Sequence, residues 1–428
     1  MSRRPLVLPL LALLSLGQAA PPASYQGPAP FAVSDLPAAE KKPLWTLSVD
    51  KAEYGEQTVA VAGGRVFVKV GGAVQARDLA SGKVMWQAAN AGRLWAASAA
   101  GVLTETDGTL VSRRPSDGRV LWRKAVSAVR DVQVRGETLY VTTAQGALAL
   151  NAATGKTRWN SADSQLTGFG TAASGVVFWR ASKGEPHFPA VVALNGVTGK
   201  RLYEFGSEVG PLAIKDGQAL LKDFGAMGPD DRAAWQWVDL YTGKTRRVGN
   251  LQADFRCPGT GMVQHTGTDG FYADGFYYLN DRCGTRLTQF ADTGRAAPTP
   301  LTPTRTFAAP DDGRYRLGPV GEYLMFESRS GEVRLIPTAG RSPVNLNGVD
   351  MPTGTGFALP GVGQVSRLDV HDGVLYVGRV GGEFLAYDVT KKRALYTVRL
   401  PWQGFGPTLR SGGYAVLTTG GAAAAVRE

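Results

Sequence analysis

Short runs of apolar residues, many of them β-branched or aromatic, recur along most of the chain. Typical runs are Arg65–Val70, Thr138–Val141, Gly175–Trp179 and Gly373–Val377, and their composition predicts strands. A turn follows each run, usually with a glycine, and then a second strand in which alanine stands two residues before Asp or Asn. Beyond the N-terminal residues, no window of about 11 residues keeps a helical spacing of apolar positions. The pattern therefore predicts an all-β chain built of four-stranded antiparallel sheets in sequence.

A nine-residue turn motif recurs, and its first five copies end 36 to 44 residues apart. The first copy is Asp78-Leu79-Ala80-Ser81-Gly82-Lys83-Val84-Met85-Trp86, and further copies end at Trp122, Trp159, Tyr203, Arg247 and Tyr396. Asp or Asn can cap the turn, Ser or Thr adds a local hydrogen bond, and Gly adopts the positive φ that a tight turn needs.

Recurrence at this spacing predicts a repeat architecture. The alanine that stands two residues before Asp or Asn lies on the penultimate strand of each unit, and its small side chain leaves room for a bulky ring. We therefore expect the ring that ends each motif to pack between neighbouring sheets. The predicted docking residues are Trp45, Trp86, Trp122, Trp159, Tyr203 and Tyr396.

The two ends of the repeat region are complementary. Pro43–Leu47 has the sequence of a last strand with none before it, whereas Tyr414–Leu417 and Ala422–Val426 lack a last partner. We expect them to share one blade and so to close a ring, which removes free sheet edges.

Counting degraded copies, the fold class predicted is a β-propeller of eight four-stranded blades. Residues 251–347 depart from the motif, and the cysteine-containing segment there is predicted to be an insertion or an irregular blade, with a ninth blade as the alternative.

The N-terminus has the features of a secretory signal peptide. Met1–Arg4 is basic, Pro5–Leu16 is apolar, and small residues lead to a cleavage site expected after Ala19. The apolar stretch is shorter than the roughly 20 residues of a membrane span. Residues 20–43 are rich in Pro and Ala and are predicted to be a flexible tether to a single propeller domain of residues 44–428. No cysteine lies near the cleavage site, so we expect an exported protein, periplasmic or extracellular, without a lipid anchor.

The chain has two cysteines, Cys257 and Cys283. An even pair in an exported chain predicts a disulfide. A metal or redox pair is the alternative, but their separation fits no compact ligand pattern and the three histidines lie in unrelated contexts. No metal site is predicted.

The turn copies resemble the pyrroloquinoline-quinone-type (PQQ-like) β-propeller repeat, whose tryptophan-docking motif reads Ala-x-Asp-x-x-Thr-Gly-Lys-x-x-Trp. Asn151–Trp159, with Ala149 before it, matches almost throughout, whereas Arg114 replaces the Asp and Lys392 the Gly of other copies. The resemblance implies a ring of blades, and the family includes both quinone-dependent dehydrogenases and outer-membrane assembly scaffolds. For the dehydrogenases it implies adjacent cysteines and a calcium ion held by Glu and Asn. This sequence offers neither, so no catalytic residue and no cofactor is predicted.

The formal net charge of +11 favours acidic partners, which outside the cytoplasm are envelope proteins or anionic envelope polymers rather than nucleic acid. Basic residues recur at one position of successive turns and are predicted to form an anion-binding rim. The rim residues are Lys83, Arg119, Lys156, Lys200 and Lys244. The alternative is that Lys and Arg simply suit exposed turns.

Together these features predict an exported, non-catalytic propeller, monomeric within a larger assembly, that serves as a protein-docking scaffold in the cell envelope. One alternative is a quinone- and calcium-dependent dehydrogenase. Another is a polysaccharide-binding propeller, in which exposed aromatic rings would stack on sugar. The candidate stacking residues are Trp235, Trp237, Trp402 and Phe405.

Overall fold

The structure is a computed structural model. It describes residues 39–51, 57–183, 188–207, 211–223, 234–248, 254–256, 263–265, 269–280, 286–294, 303–308, 313–315, 323–328, 333–337, 349–350, 357–358, 365–391 and 393–428. The predicted signal peptide, most of the predicted tether, Cys257 and Cys283 lie outside the described residues. Cleavage and the disulfide therefore stay predictions.

Every regular element in the described ranges is a strand, and no helix there could cross a membrane. The first seventeen strands are β1 (Trp45–Ser48), β2 (Val59–Ala62), β3 (Arg65–Val70), β4 (Ala73–Asp78), β5 (Val84–Ala88), β6 (Arg93–Ser98), β7 (Gly101–Thr106), β8 (Thr109–Arg113), β9 (Val120–Ala125), β10 (Val129–Arg135), β11 (Thr138–Thr143), β12 (Gly146–Asn151), β13 (Thr157–Ser161), β14 (Leu166–Ala173), β15 (Val176–Lys183), β16 (Phe188–Asn195) and β17 (Arg201–Phe205). The next fifteen are β18 (Ala213–Lys215), β19 (Gln218–Asp223), β20 (Ala234–Asp239), β21 (Thr245–Arg247), β22 (Asp254–Arg256), β23 (Val263–His265), β24 (Asp269–Ala273), β25 (Phe276–Asn280), β26 (Arg286–Ala291), β27 (Arg305–Ala308), β28 (Gly313–Tyr315), β29 (Tyr323–Ser328), β30 (Val333–Pro337), β31 (Val349–Asp350) and β32 (Phe357–Ala358). The last seven are β33 (Val365–His371), β34 (Val374–Arg379), β35 (Glu383–Asp388), β36 (Arg393–Arg399), β37 (Leu409–Ser411), β38 (Tyr414–Thr419) and β39 (Ala422–Arg427).

These strands form eight four-stranded blades in a ring, which confirms the predicted β-propeller. The blades are β2–β5 (blade 1), β6–β9 (blade 2), β10–β13 (blade 3), β14–β17 (blade 4), β18–β21 (blade 5), β28–β30 with β32 (blade 6), β33–β36 (blade 7) and β37–β39 with β1 (blade 8).

The region in which the motif dissolves contains more than a regular blade. After the hairpin β22–β23 comes a five-stranded sheet, β24 to β27 with β31, whose last strand pairs in parallel with β27. This sheet packs against blade 5 on one side and blade 6 on the other, so it lies between two of the eight four-stranded blades and is not counted among them. It lies in the region for which the sequence predicts an insertion or an irregular blade.

The core lies between neighbouring blades. On β15, Val177 and Trp179 pack towards blade 3, whereas Phe178, between them, packs towards blade 5. Strands in the middle of each blade are therefore apolar on both faces, which explains the continuous apolar runs in the sequence.

The termini close the ring as predicted. Strand β1 pairs antiparallel with β39, from Trp45 opposite Ala425 to Ser48 opposite Ala422. Apolar residues of blade 8 then pack against blade 1. Just before β1, Glu40 forms a parallel bridge with Thr397 on the outer edge of β36.

The first strand of each blade lies towards the ring axis, since β2, β6, β10 and β14 contact one another in succession. Two aspartates on such strands join neighbouring blades: Asp131 accepts the backbone N–H of Phe169 (3.1 Å), and Asp369 accepts that of Thr408 (2.8 Å). The docking turns, between the third and fourth strands, project on one face of the ring, which we call the turn face. The hairpins between the second and third strands project on the opposite face, the mouth face.

Candidate functional site

Each docking turn is fixed by its own hydrogen bonds. In blade 3 the Asn151 side chain accepts the backbone N–H and the hydroxyl of Thr154 (both 3.0 Å), and Gly155 has φ of 68°. In blade 1 the Ser81 hydroxyl and N–H donate to Asp78 and lower the pKa of that carboxyl. In blade 5, hydrogen bonds from the N–H and hydroxyl of Thr242 lower the pKa of Asp239 in the same way. The turns are thus rigid whether the capping residue is Asn or Asp.

The ring of one blade lies on the turn of the next. The Trp122 indole donates to the Ala152 carbonyl (3.0 Å) and covers Gly155 so closely that an added Cβ would lie 2.6 Å from it. The same arrangement joins Trp45 to Gly82, Trp86 to Gly118 and Trp159 to Gly199, with indole hydrogen bonds of 2.8 Å to the carbonyls of Leu79, Pro115 and Gly196 respectively. An indole on each turn glycine therefore links these successive blades.

The two tyrosines at motif ends behave differently from tryptophan. Tyr203 covers Gly243, but its hydroxyl has no hydrogen-bond partner among the described residues, and burial raises the pKa of its phenol. Tyr396 lies beneath the residues that precede β1, with the Lys41 ammonium 4.5 Å from its ring centroid. Tyr396 therefore contacts the N-terminal segment rather than a docking turn.

Blade 5 differs from the other blades that carry the motif in how its third and fourth strands pair. In blades 1, 2, 3, 4 and 7 a register shift follows the small residue that faces the motif's last ring. The pairing of β20 with β21 has no such shift, so Arg246, and not Arg247, faces the position of the small residue. Trp237 occupies that position and donates to the Tyr277 hydroxyl (2.6 Å). A large ring from the third strand thus replaces the ring expected from the fourth.

Three of the four candidate sugar-stacking residues belong to the core. Trp235 and Trp237 are each 1% exposed and Phe405 is 8% exposed, while Trp402 is half-buried against Phe405. Trp235, Trp237 and Phe405 therefore have no free face for a ligand at the surface.

The five predicted rim residues occupy one equivalent position on blades 1 to 5. Each is exposed on the turn face, and its backbone carbonyl closes the turn, as Lys156 does by accepting the N–H of Asn151 (2.8 Å). Arg119 lies 3.7 Å from the Asp117 carboxylate. Over the described ranges, no carboxylate lies within 4.0 Å of the ammonium groups of Lys83, Lys156, Lys200 or Lys244. The structure places these residues on separate turns and not in one cavity.

A second basic site lies on the mouth face and was missed by the sequence reasoning. A cavity of about 720 Å³ lies between blades 2, 3 and 4, lined by Arg93, Arg130, Asp131 and Arg180, with Thr167 among the other lining residues. The arginines come from three different repeats and belong to no motif, so no sequence signal could have grouped them. Among the described residues, no group of three or more His, Cys, Asp or Glu is placed to hold a metal ion.

The ring of blades joined by aromatic docking turns defines a PQQ-like β-propeller. A family model described as outer membrane protein assembly factor BamB matches residues 31–133 and 116–227. The chain belongs to the PQQ-like β-propeller repeat family.

Several solved structures are similar to this chain. The computationally designed Ika8 protein has a TM-score of 0.51 at 12% identity, covering 91% of this chain and 100% of its own. BamB from Moraxella catarrhalis has a TM-score of 0.46 at 11% identity, covering 90% and 99%. Quinohemoprotein alcohol dehydrogenase from Comamonas testosteroni has a TM-score of 0.43 at 13% identity, covering 94% and 78%. At these identities the likeness concerns the fold alone. No curated protein matches the chain.

Proposed function

We propose that this protein is an exported, non-catalytic β-propeller that acts in the cell envelope as a docking scaffold for other proteins. The family match supports the comparison, because the matching family is described as an assembly factor of the outer membrane. The proposed compartment is the periplasm or the outer cell surface, and the proposed partners present acidic surfaces.

The exposed lysines of the turn face are the observation that supports this proposal. Lys83, Lys156, Lys200 and Lys244 project from equivalent turns. No carboxylate in the described part of the chain lies within 4.0 Å of their ammonium groups, and the carboxylate of Asp239 acts on Lys244 from a greater distance. Because each turn is held by its own hydrogen bonds and by the ring docked on it, the backbone positions of these charges are fixed before binding. Pre-ordered positive charge favours complementary association with an acidic protein surface, chiefly by raising the association rate at low salt.

The first prediction concerns charge reversal on this face. Lys156→Glu, Lys200→Glu and Lys244→Glu together should reduce retention of envelope proteins on the immobilised protein at low salt, because repulsion replaces attraction. The measurement is capture from an envelope extract with washes of rising salt, and identification of cross-linked residues on both partners. Binding through exposed charges should weaken as the salt rises.

The matched control reverses three exposed basic residues that lie outside the docking turns: Lys51→Glu, Arg123→Glu and Arg399→Glu. It makes the same change in net charge and should leave retention close to that of the unaltered protein. Equal loss in both variants would show a general charge effect. Unchanged retention after reversal at the turns would discard the rim, and retention of polysaccharide without protein would contradict the scaffold.

A further inference from the structure

We propose that the cavity between blades 2, 3 and 4 on the mouth face binds a small anion with at least two oxyanion groups, either phosphates or carboxylates. This site does not depend on the docking function, which uses the opposite face of the ring. Most lining residues come from the first strands of the three blades, where β10 lies between β6 and β14, and Arg180 comes from β15, which pairs with β14. The volume of about 720 Å³ lies in the range of small-molecule sites and is far larger than one phosphate needs.

Positive charge prevails among the described residues that line the cavity. They include the guanidinium groups of Arg93, Arg130 and Arg180 and the carboxylate of Asp131; Arg93 has an interaction of its own, so the proposal rests on Arg130 and Arg180. Arg130 and Arg180 are exposed, and no carboxylate in the described part of the chain lies within 4.0 Å of either guanidinium. Like charges facing one cavity repel one another, and an anion with two or more negative charges would remove that repulsion.

The carboxylate of Asp131 already has two hydrogen-bond donors. Asp131 accepts the backbone N–H of Phe169 through one oxygen (3.1 Å) and the side-chain amide of Gln133 through the other (3.4 Å). It thereby ties blade 3 to blade 4 along the cavity wall. Its part in this site is to position the strands, and it offsets only a portion of the positive charge.

Gly168 shapes the wall beneath Arg180. The two residues face each other across the β14–β15 ladder, and a Cβ at Gly168 would lie 2.8 Å from a terminal nitrogen of Arg180. The absence of a side chain lets the planar guanidinium lie against the strand and remain exposed. Guanidinium groups donate paired hydrogen bonds to carboxylate and phosphate oxygens, which suits them to such ligands.

The test is calorimetric titration of the full chain at low ionic strength with two probes, tripolyphosphate and citrate, and with acetate as the monovalent control. We expect one site per chain for at least one probe and none for acetate. Arg130→Gln with Arg180→Gln should weaken binding at least about tenfold, because two charge-assisted contacts are lost. The matched control, Arg123→Gln with Arg399→Gln, removes the same charge from exposed strand positions outside both the cavity and the docking turns, and should leave the affinity nearly unchanged.

A second variant should change the affinity for the anion in the opposite direction. Asp131→Asn removes the carboxylate found among the described lining residues but keeps a side-chain oxygen for the Phe169 N–H, so binding should become tighter. A purely structural role of Asp131 would leave the affinity unchanged or weaken it. Thermal unfolding of every variant checks that the fold is kept, which we expect because Arg130 and Arg180 are exposed.

The tighter of the two probes identifies phosphate or carboxylate as the ligand chemistry. Failure of both probes to bind below about 1 mM would overturn the proposal. So would binding that survives the substitution of Arg130 and Arg180, or that falls equally in the matched control. None of these outcomes bears on the rim, which the envelope capture tests separately.

Discussion

At the scale of the residue, a turn glycine in this ring is needed for two separate reasons. Gly155 has φ of 68°, a value that residues with a Cβ adopt only at a cost. It also lies under the Trp122 ring, with no room for a Cβ. Gly136 has a similar φ of 56° but nothing within 4 Å of the position of a Cβ. The pair therefore separates the conformational requirement from the packing requirement.

Gly155→Ala should cost about 3 kcal/mol of unfolding free energy, since about 1 kcal/mol of left-handed strain adds to the displacement of a docked indole. Gly136→Ala should cost about 1 kcal/mol from strain alone. Denaturant unfolding of both variants measures the difference. Equal losses of unfolding free energy in the two variants would mean that the Trp122 indole moves aside at no cost.

At the scale of the element, the capping residue of the turn decides how the turn responds to acid. Asp78 and Asp239 have a pKa below the usual 3.8 because hydrogen bonds from Ser81 and Thr242 favour the carboxylate. Asn151 and Asn195 make equivalent bonds without a charge. A lowered folded-state pKa contributes stability that is present above pH 3.8 and is lost as the pH falls through the folded value.

Asp78→Asn with Asp239→Asn should therefore reduce the drop in Tm between about pH 6 and about pH 3, because the unfolded chain no longer takes up protons at these two sites. The reciprocal variant, Asn151→Asp with Asn195→Asp, should make the drop steeper. Thermal unfolding at both pH values provides the measurement. Parallel pH profiles for all three proteins would contradict this assignment of the acid sensitivity.

Elements held by local bonds could be predicted, and those decided by packing between repeats could not. The turns from Asp78 to Trp86 and from Asn151 to Trp159 carry their bonds within nine residues, so their pattern is visible in the sequence. In blade 5, Trp237 takes the place of a small residue and the register shift is missing, so the motif could not show that Arg246 rather than Arg247 faces it. The arginine cavity joins three repeats, and its grouping depends on the closed ring.

At the scale of the whole molecule, closure depends on one short strand. Strand β1 covers the last edge of β39, and its Trp45 also docks on the turn of blade 1. Both contacts cross the joint between the ends of the chain. Without β1 the backbone groups along Ala422–Arg427 would be free to pair with another molecule.

A variant that begins at Val49 should unfold at a lower temperature and self-associate, because it loses the closing strand and the Trp45 contact. A variant that begins at Ala39 keeps all of these contacts and serves as the control. Thermal unfolding and size-exclusion chromatography with light scattering test both. A monomeric Val49 variant with the Tm of the control would show that closure rests on the remaining blades.

The short parallel bridge outside β36 determines on which side of the ring the N-terminal segment lies. Lys41 donates to the Arg427 carbonyl, and the backbone of residues 39 to 41 follows the outermost strand of blade 7 at Thr397. Ala39, the first described residue, therefore lies on the outer side of the ring and on neither the turn face nor the mouth face. A carrier fused directly to Ala39 would hold the ring by this outer side and leave both faces accessible.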